Sequence, residues 1–150
     1  MKRIGVCLIA VMCAVTCACP KDSPAGVSGR AVLAITDIIH TGADTVHQLE
    51  VNGTLTKTQQ DTALHVMNAV NDLDIAYGSC VQRVYKGDNT PASYAACVSS
   101  FQAQLQDATF QQEIRVLDPA SQQSMTNIVG SVGNLLSTTL TQLQSAKAPK

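Results

Sequence analysis

Apolar residues recur along the chain at steps of three and four, the spacing that places them on one face of an α-helix. One such stripe runs through Val66, Val70, Leu73, Tyr77, Cys80 or Val81, and Val84. Three others run through Ile35, Ile38, Ile39, Val46 and Leu49; through Tyr94, Val98, Phe101, Leu105 and Ala108; and through Met125, Ile128 or Val129, Val132, Leu136, Leu140 and Leu143. The alternation typical of a strand is hard to find. The pattern therefore predicts an all-α protein.

Turn and capping residues divide these stripes into four helices. Glycine accepts a positive φ angle at a helix end, Thr or Asp caps a helix start, and Pro suits the first helical position. Such residues are Asn52-Gly53, Thr56 with Gln59 at capping-box spacing, Gly87-Asp88-Asn89, Thr90-Pro91 and Asp118-Pro119. The predicted helices span residues 27–51, 57–86, 91–117 and 119–146.

The four predicted helices have similar lengths and short connections. This combination favours an antiparallel up-down four-helix bundle, which would form one domain over residues 27–146. Gly130 and Gly133 lie inside the fourth helix, where glycine weakens helical structure. They indicate either the close approach of another helix or a kink near residue 130.

Composition excludes one class of partner. Charged residues are 14% of the 150 residues and the net charge is -1, while apolar residues are 45%. Binding to nucleic acid needs clustered Lys and Arg to neutralise phosphates, so we expect no nucleic-acid partner. The apolar content is sufficient for a core.

The N-terminus has the pattern of an export signal. Lys2 and Arg3 precede a mostly apolar, uncharged run from Ile4 to Cys19, which is shorter than the ~20 residues of a membrane-spanning helix. We therefore predict a signal peptide over residues 1–18. No later stretch is long enough and apolar enough to span a membrane.

The end of this leader, Thr16-Cys17-Ala18-Cys19, resembles a bacterial lipoprotein signal. In that family a small residue precedes a Cys that becomes lipidated and forms the new N-terminus. Ala18 and Cys19 match this pattern, whereas Thr16 and Cys17 stand where Leu and a small residue such as Ala or Ser are usual. The resemblance implies lipid attachment, such as palmitate, at Cys19. Thr16-x-Ala18 also fits an ordinary signal-peptidase site, which would leave a secreted protein without lipid.

Cysteine parity supports lipidation. Of six cysteines, Cys7, Cys13 and Cys17 lie inside the leader, and Cys19, Cys80 and Cys97 follow its cleavage. An odd thiol in an exported protein needs an explanation. Lipidation of Cys19 supplies one and leaves Cys80 and Cys97 as a pair. Residues 19–26 are polar and rich in Pro and Gly, so we predict a tether there, and a short tail over 147–150.

The spacing of Cys80 and Cys97 predicts a disulfide. Their positions are equally distant from the centre of the Gly87–Thr90 loop, so in a helical hairpin they lie at the same height. Exported proteins reach compartments that permit disulfides. The alternative is two buried free thiols. A redox role is disfavoured because the two residues do not form a Cys-x-x-Cys motif.

One group of side chains has a spacing compatible with metal binding. Asp37, His40, Asp44 and His47 follow one another at steps of three, four and three, so they project from one side of the first helix. This side lies opposite the apolar stripe, and a solvated polar face is the expected interpretation.

Motifs for other chemistry are missing from the sequence. Neither Glu50 nor Glu113 belongs to a Glu-x-x-His pair of the kind used for di-iron sites, and no Cys-x-x-Cys-His haem motif is present. Non-covalent haem would draw on Met67, Met125, His40, His47 or His65, but methionines on apolar stripes usually fill cores. Asp72 and Asp74 lie two apart on one helix, and we expect both to be solvated. We therefore expect no cofactor.

These features predict a small non-enzymatic protein of the bacterial cell envelope, of cellular or phage origin. It would be held by the Cys19 lipid on the periplasmic or extracellular face of a membrane and would bind an envelope protein or serve a structural role. A module for a small ligand or metal is the alternative. A dry cavity among Val66, Tyr77, Phe101 and Leu136 would favour the ligand.

Overall fold

The computed structural model describes residues 23–146, and this part of the chain is helical with no strands. Its five helices are α1 (Pro24–Val51), α2 (Lys57–Lys86), α3 (Pro91–Leu105), α4 (Ala108–Arg115) and α5 (Pro119–Ser145). The predicted all-α class is confirmed. The predicted signal peptide, Cys19 and the tail at 147–150 lie outside the described residues.

Capping side chains set most helix boundaries where they were predicted. Thr56 and Gln59 form a complete capping box at the start of α2, because each side chain bonds the backbone N–H of the other residue. Thr90 and Asp118, each directly before a proline, accept hydrogen bonds from backbone N–H groups in the first turns of α3 and α5. Gly53 has a φ of 72° just after α1. The local sequence therefore determines these boundaries.

The first helix begins earlier than predicted. Ser23 caps α1 by accepting a hydrogen bond from Gly26 N at 3.1 Å, and Pro24 occupies the first helical position. Residues 24–26 are therefore helical and buried, although the predicted tether extended to residue 26. A capping Ser followed by Pro is a helix start signal, which the tether interpretation overlooked.

The third predicted helix, 91–117, is wrong as a single element because it breaks at residues 106–107. Leu105 and Ile114 are both buried. They are nine residues apart, so in one straight helix, at about 100° per residue, they would lie on opposite faces. A straight helix would bury Gln112 and expose Ile114. The Asp107 side chain caps α4, and Gln111 Nε2 donates to the Leu105 carbonyl at 2.6 Å. Ala108, which was predicted to belong to the apolar stripe of this helix, is exposed.

The helices form a bundle around one apolar core. α1 packs against α2 and α5, and α3 packs against the same two helices, while α4 contacts α3 and α5. The predicted stripes supply the core: it includes Ile35, Ile39, Val46, Val66, Val70, Tyr77, Val81, Tyr94, Val98, Phe101, Leu105, Met125, Val132, Leu136 and Leu143. Within residues 23–146, every helix is too short or too polar to cross a bilayer.

A disulfide joins α2 to α3. The sulfur atoms of Cys80 and Cys97 are 2.05 Å apart and their Cα atoms 5.9 Å apart, within the usual range for disulfides. The rings of Tyr77 and Phe101 meet one turn further along the same interface, with centroids 5.7 Å apart. Cys80 and Cys97 are equally far from the 87–90 loop, and Tyr77 and Phe101 differ by only one residue, so the predicted pairing is confirmed for the reason given by its spacing.

Candidate functional site: a buried carboxyl and an uncharged face

The candidate metal ligands lie on the surface of α1. Asp37, His40, Asp44 and His47 are all exposed. His47 Nδ1 is 3.0 Å from Gln60 Nε2 on α2 and 3.7 Å from Glu50 Oε2, so its contacts lie outside the group of four. Residues 23–146 contain no group of three or more His, Cys, Asp and Glu side chains placed to hold a metal ion. The exposure of the four candidate ligands on α1 agrees with a solvated polar face.

The residues considered for haem are separated. Met67 and Met125 lie in the core, as expected of methionines that fill space, whereas His40, His47 and His65 are exposed. The residues named for a ligand cavity, Val66, Tyr77, Phe101 and Leu136, are also packed in the core. Neither group lines the surface grooves described below.

Asp74 is the buried ionisable residue that the sequence interpretation missed. Its side chain is only 2% exposed, whereas Asp72 is exposed as expected. The expectation that both would be solvated is therefore wrong for Asp74. A signal was available, since Asp74 follows Val70 by four residues and precedes Tyr77 by three, which places it on the buried stripe.

The contacts of Asp74 favour its protonated form. Thr36 Oγ1 lies 2.7 Å from Asp74 Oδ2 and 3.0 Å from the Val32 carbonyl oxygen. One hydroxyl hydrogen cannot serve both acceptors. If Asp74 is protonated, it donates to Thr36 and Thr36 donates to Val32, so both contacts become hydrogen bonds. Burial raises the pKa of Asp74 to about 6, although the hydrogen bond from Thr36 opposes the shift.

Tyr77 and Ser28 extend this polar cluster through the α1–α2 interface. Burial raises the pKa of Tyr77, an effect that the Ser28 hydroxyl reduces and the charge of Asp74 increases. Ser28 Oγ, Tyr77 Oη and Asp74 Oδ1 have no hydrogen bond of regular geometry among the described residues. The two hydroxyls are near enough to influence ionisation, but they are not aligned as a regular pair. This cluster is the polar part of an otherwise apolar interface.

A surface groove of about 430 Å³ lies between α1 and α5. Ile38, Gly42 and Ile128 contribute to its lining, together with polar side chains of both helices. A Cβ added to Gly42 would lie 2.5 Å from Ile128 Cδ1 and 2.9 Å from Met67 Cε. At Gly42 an added methyl group would therefore displace the ends of the Ile128 and Met67 side chains.

Gly130 and Gly133 have a different environment from the one predicted. α5 is continuous through both residues, and a Cβ at either would meet no atom within 4 Å in the described part of the chain. Neither a break near residue 130 nor a close internal approach is present there. Both glycines instead line a groove of about 330 Å³ between α3 and α5.

The surface on either side of this groove has no charge. α3 and α5 contain no Asp, Glu, Lys, Arg or His. We call their exposed residues the uncharged face: Ala92, Ala96, Ser99, Ser100, Ala103 and Gln104 on α3, and Pro119, Gln123, Thr126, Asn127, Gly130, Ser131, Asn134, Ser137, Thr138, Thr141, Gln142, Gln144 and Ser145 on α5. The charged residues of the bundle lie on α1, α2, α4 and the loops.

Several hydroxyl groups of α5 on the uncharged face are already hydrogen-bonded. Ser131, Ser137, Thr138 and Thr141 each donate to the carbonyl oxygen four residues earlier in α5, at 2.8–3.0 Å. Ser137 also accepts from Gln102 Nε2 across the groove at 3.1 Å. Burying a donor that keeps its bond avoids the cost of an unsatisfied polar group. This face can therefore be covered at lower cost than a charged surface.

In comparisons with known proteins, no family model, no curated protein and no solved structure matches the chain.

Proposed function

We propose that this chain is a small, non-enzymatic lipoprotein of the bacterial cell envelope, in which a lipid on Cys19 holds a helical bundle that serves as a structural or protein-interaction module. The observation that carries the proposal is the Cys80–Cys97 disulfide, because structural disulfides persist mainly in exported proteins. The basic residues and apolar run of the leader agree with export.

For the fold, the proposal is an up-down arrangement of the four long helices, with α4 as part of the connection between α3 and α5. The Thr36–Asp74 and His47–Gln60 contacts support opposite directions for α1 and α2. The contacts of α1 and α3 with both α2 and α5 support a closed ring of helices.

An interaction role fits the distribution of polar groups. Asp74, whose pKa is raised by burial, lies in the core and is bonded to Thr36. We therefore expect its ionisation to affect the stability of the fold and not the chemistry of a bound substrate. The uncharged face, in contrast, is accessible and several of its α5 hydroxyls are bonded. Interface cores are depleted of charged residues, and this face shares that one property.

Membrane fractionation of cells that express the full chain tests the anchor. We expect the parent chain in the membrane fraction, with a mature mass of residues 19–150 plus lipid. Cys19→Ala should move to the soluble fraction or retain its leader. Cys17→Ala is the matched control, since Ala is usual at that position of the lipoprotein signal, and it should remain membrane-bound. A soluble, unmodified parent chain would contradict the proposal.

The α1–α5 groove favours a second candidate function, binding of a small apolar ligand. Its volume of about 430 Å³ is within the ~300–1,000 Å³ typical of ligand sites, and Ile38 and Ile128 give it apolar walls. The full chain should then bind the apolar dye N-phenylnaphthylamine saturably. Thr41→Trp, within the groove, should abolish binding, and Thr62→Trp, exposed on α2, should not. Equal effects of the two substitutions would reject this candidate.

A further inference from the structure

We propose that two copies of this chain associate through the uncharged face. The face is unusual because it spans two adjacent helices without any ionisable side chain, whereas about a quarter of the residues in an average protein are charged. Charged groups lose hydration when they are buried against a surface that offers no counter-charge. A partner that fits this face must therefore present an uncharged surface as well.

A second copy supplies such a surface. Two uncharged faces meet without like-charge repulsion and without unpaired charges on either side. The hydroxyls of Ser131, Ser137 and Thr138 keep their bonds to α5 carbonyls when they are covered. The Asn134 amide, exposed beside the groove, donates and accepts and can pair with the same group on the other copy.

The shape of the face is also suited to self-association. α5 forms a ridge between two grooves, one shared with α1 and the other with α3. A twofold interface requires the same patch to provide both matching surfaces. The α5 ridge of each copy can lie in the α3–α5 groove of the other, as ridges pack into grooves between helices. The missing side chains of Gly130 and Gly133 leave space in this groove beside the Gln102–Ser137 hydrogen bond that crosses it.

The size of the face is adequate for a stable dimer. α5 has 27 residues, which corresponds to a length of ~40 Å. α3 has 15 residues and lies beside α5 for only ~22 Å, so the face is about 20 Å wide over that length and ~10 Å wide elsewhere, which offers roughly 600 Å² to each copy. Two such faces bury roughly 1,200 Å² in total, the lower end of the range for specific complexes.

The relative orientation of the two copies rests on the proposed lipid anchor. Anchors at the N-terminus of both chains place the copies upright on one membrane, so the twofold axis runs along the helices. Each residue of the α5 ridge then lies close to the same residue of the other copy. Asn134, exposed beside the groove, should be near its own counterpart.

Cysteine crosslinking of the full chain in membranes tests the interface. Asn134→Cys places a thiol on the uncharged face, and Asn68→Cys makes the same change at an exposed, mid-helix position of α2, which carries charged residues. A short bismaleimide should convert most of the Asn134→Cys chain to a covalent dimer. The parent chain and Asn68→Cys should stay monomeric on denaturing gels. Equal crosslinking of the two variants would overturn the proposal.

A second variant separates repulsion at the interface from a failure to fold. Thr138→Lys, added to Asn134→Cys, brings two positive charges together one turn away while replacing Thr with a better helix former. We expect dimer yield to fall at least about tenfold, in line with the cost of like charges at an interface, with the circular dichroism spectrum unchanged. Undiminished crosslinking would overturn the proposal. Membrane-bound chain that does not crosslink rejects the interface alone, and crosslinked chain in the soluble fraction rejects the anchor alone.

Discussion

Replacing Asp74 by Asn should stabilise the protein near neutral pH. The folded state raises the pKa of Asp74 from an ordinary 3.8 to about 6, so it binds a proton more tightly than the unfolded chain does. The stabilising effect of this proton is complete below about pH 4, decreases as the pH rises through the folded pKa and is absent at pH 7. The shift corresponds to about 3 kcal/mol of unfolding free energy.

Asn reproduces the hydrogen bonds of the protonated acid. Its Nδ2 group can donate to Thr36 Oγ1 while Thr36 donates to the Val32 carbonyl. In the parent protein the corresponding distances are 2.7 Å between Asp74 Oδ2 and Thr36 Oγ1 and 3.0 Å between Thr36 Oγ1 and the Val32 oxygen. Asp74→Asn should therefore raise the unfolding free energy by up to about 3 kcal/mol at pH 7, with a difference that shrinks toward zero near pH 4.

Urea unfolding followed by circular dichroism, repeated across this pH range, measures the difference directly. Asp72→Asn is the matched control, because it makes the same change at an exposed position two residues away. It should alter stability by less than about 0.5 kcal/mol. Thr36→Val should cost about 1–3 kcal/mol at pH 7, because it leaves the buried carboxylate without its donor. A pH-independent effect of Asp74→Asn would refute the proton assignment.

The remaining predictions concern packing and the disulfide. The Cys80→Ser, Cys97→Ser double variant should lose about 3 kcal/mol of unfolding free energy, because the native disulfide closes a loop with a sequence separation of 17. Its midpoint of guanidinium unfolding should be lower than that of the parent chain, and equal midpoints would contradict this expectation. Gly42→Ala should be less favourable than Gly130→Ala by up to about 1 kcal/mol, since its Cβ displaces the flexible ends of Ile128 and Met67. Gly130→Ala, a matched change in α5, should stabilise by up to about 1 kcal/mol, because its Cβ meets no atom within 4 Å in residues 23–146; equal shifts of the two thermal melts would reject this distinction.

The sequence alone was sufficient for the helical class, for most helix boundaries and for the disulfide. Each depends on information contained within a few residues or on symmetry about one short loop. Thr56 and Gln59 can form their capping box only with each other's backbone, and Cys80 and Cys97 are equidistant from the turn between α2 and α3. Such features are local, so neighbouring helices do little to change them.

The tertiary structure decided which positions of each stripe are enclosed and which helices share a surface. Ile114 reaches the core only because the chain breaks at residues 106–107, and Asp74 is buried where α1 supplies Thr36 opposite it. The space beside Gly42 is filled because Ile128 approaches from α5. The uncharged face likewise exists because α3 packs beside α5. These properties arise from contacts between distant segments, and helical periodicity specifies a face without specifying what covers it.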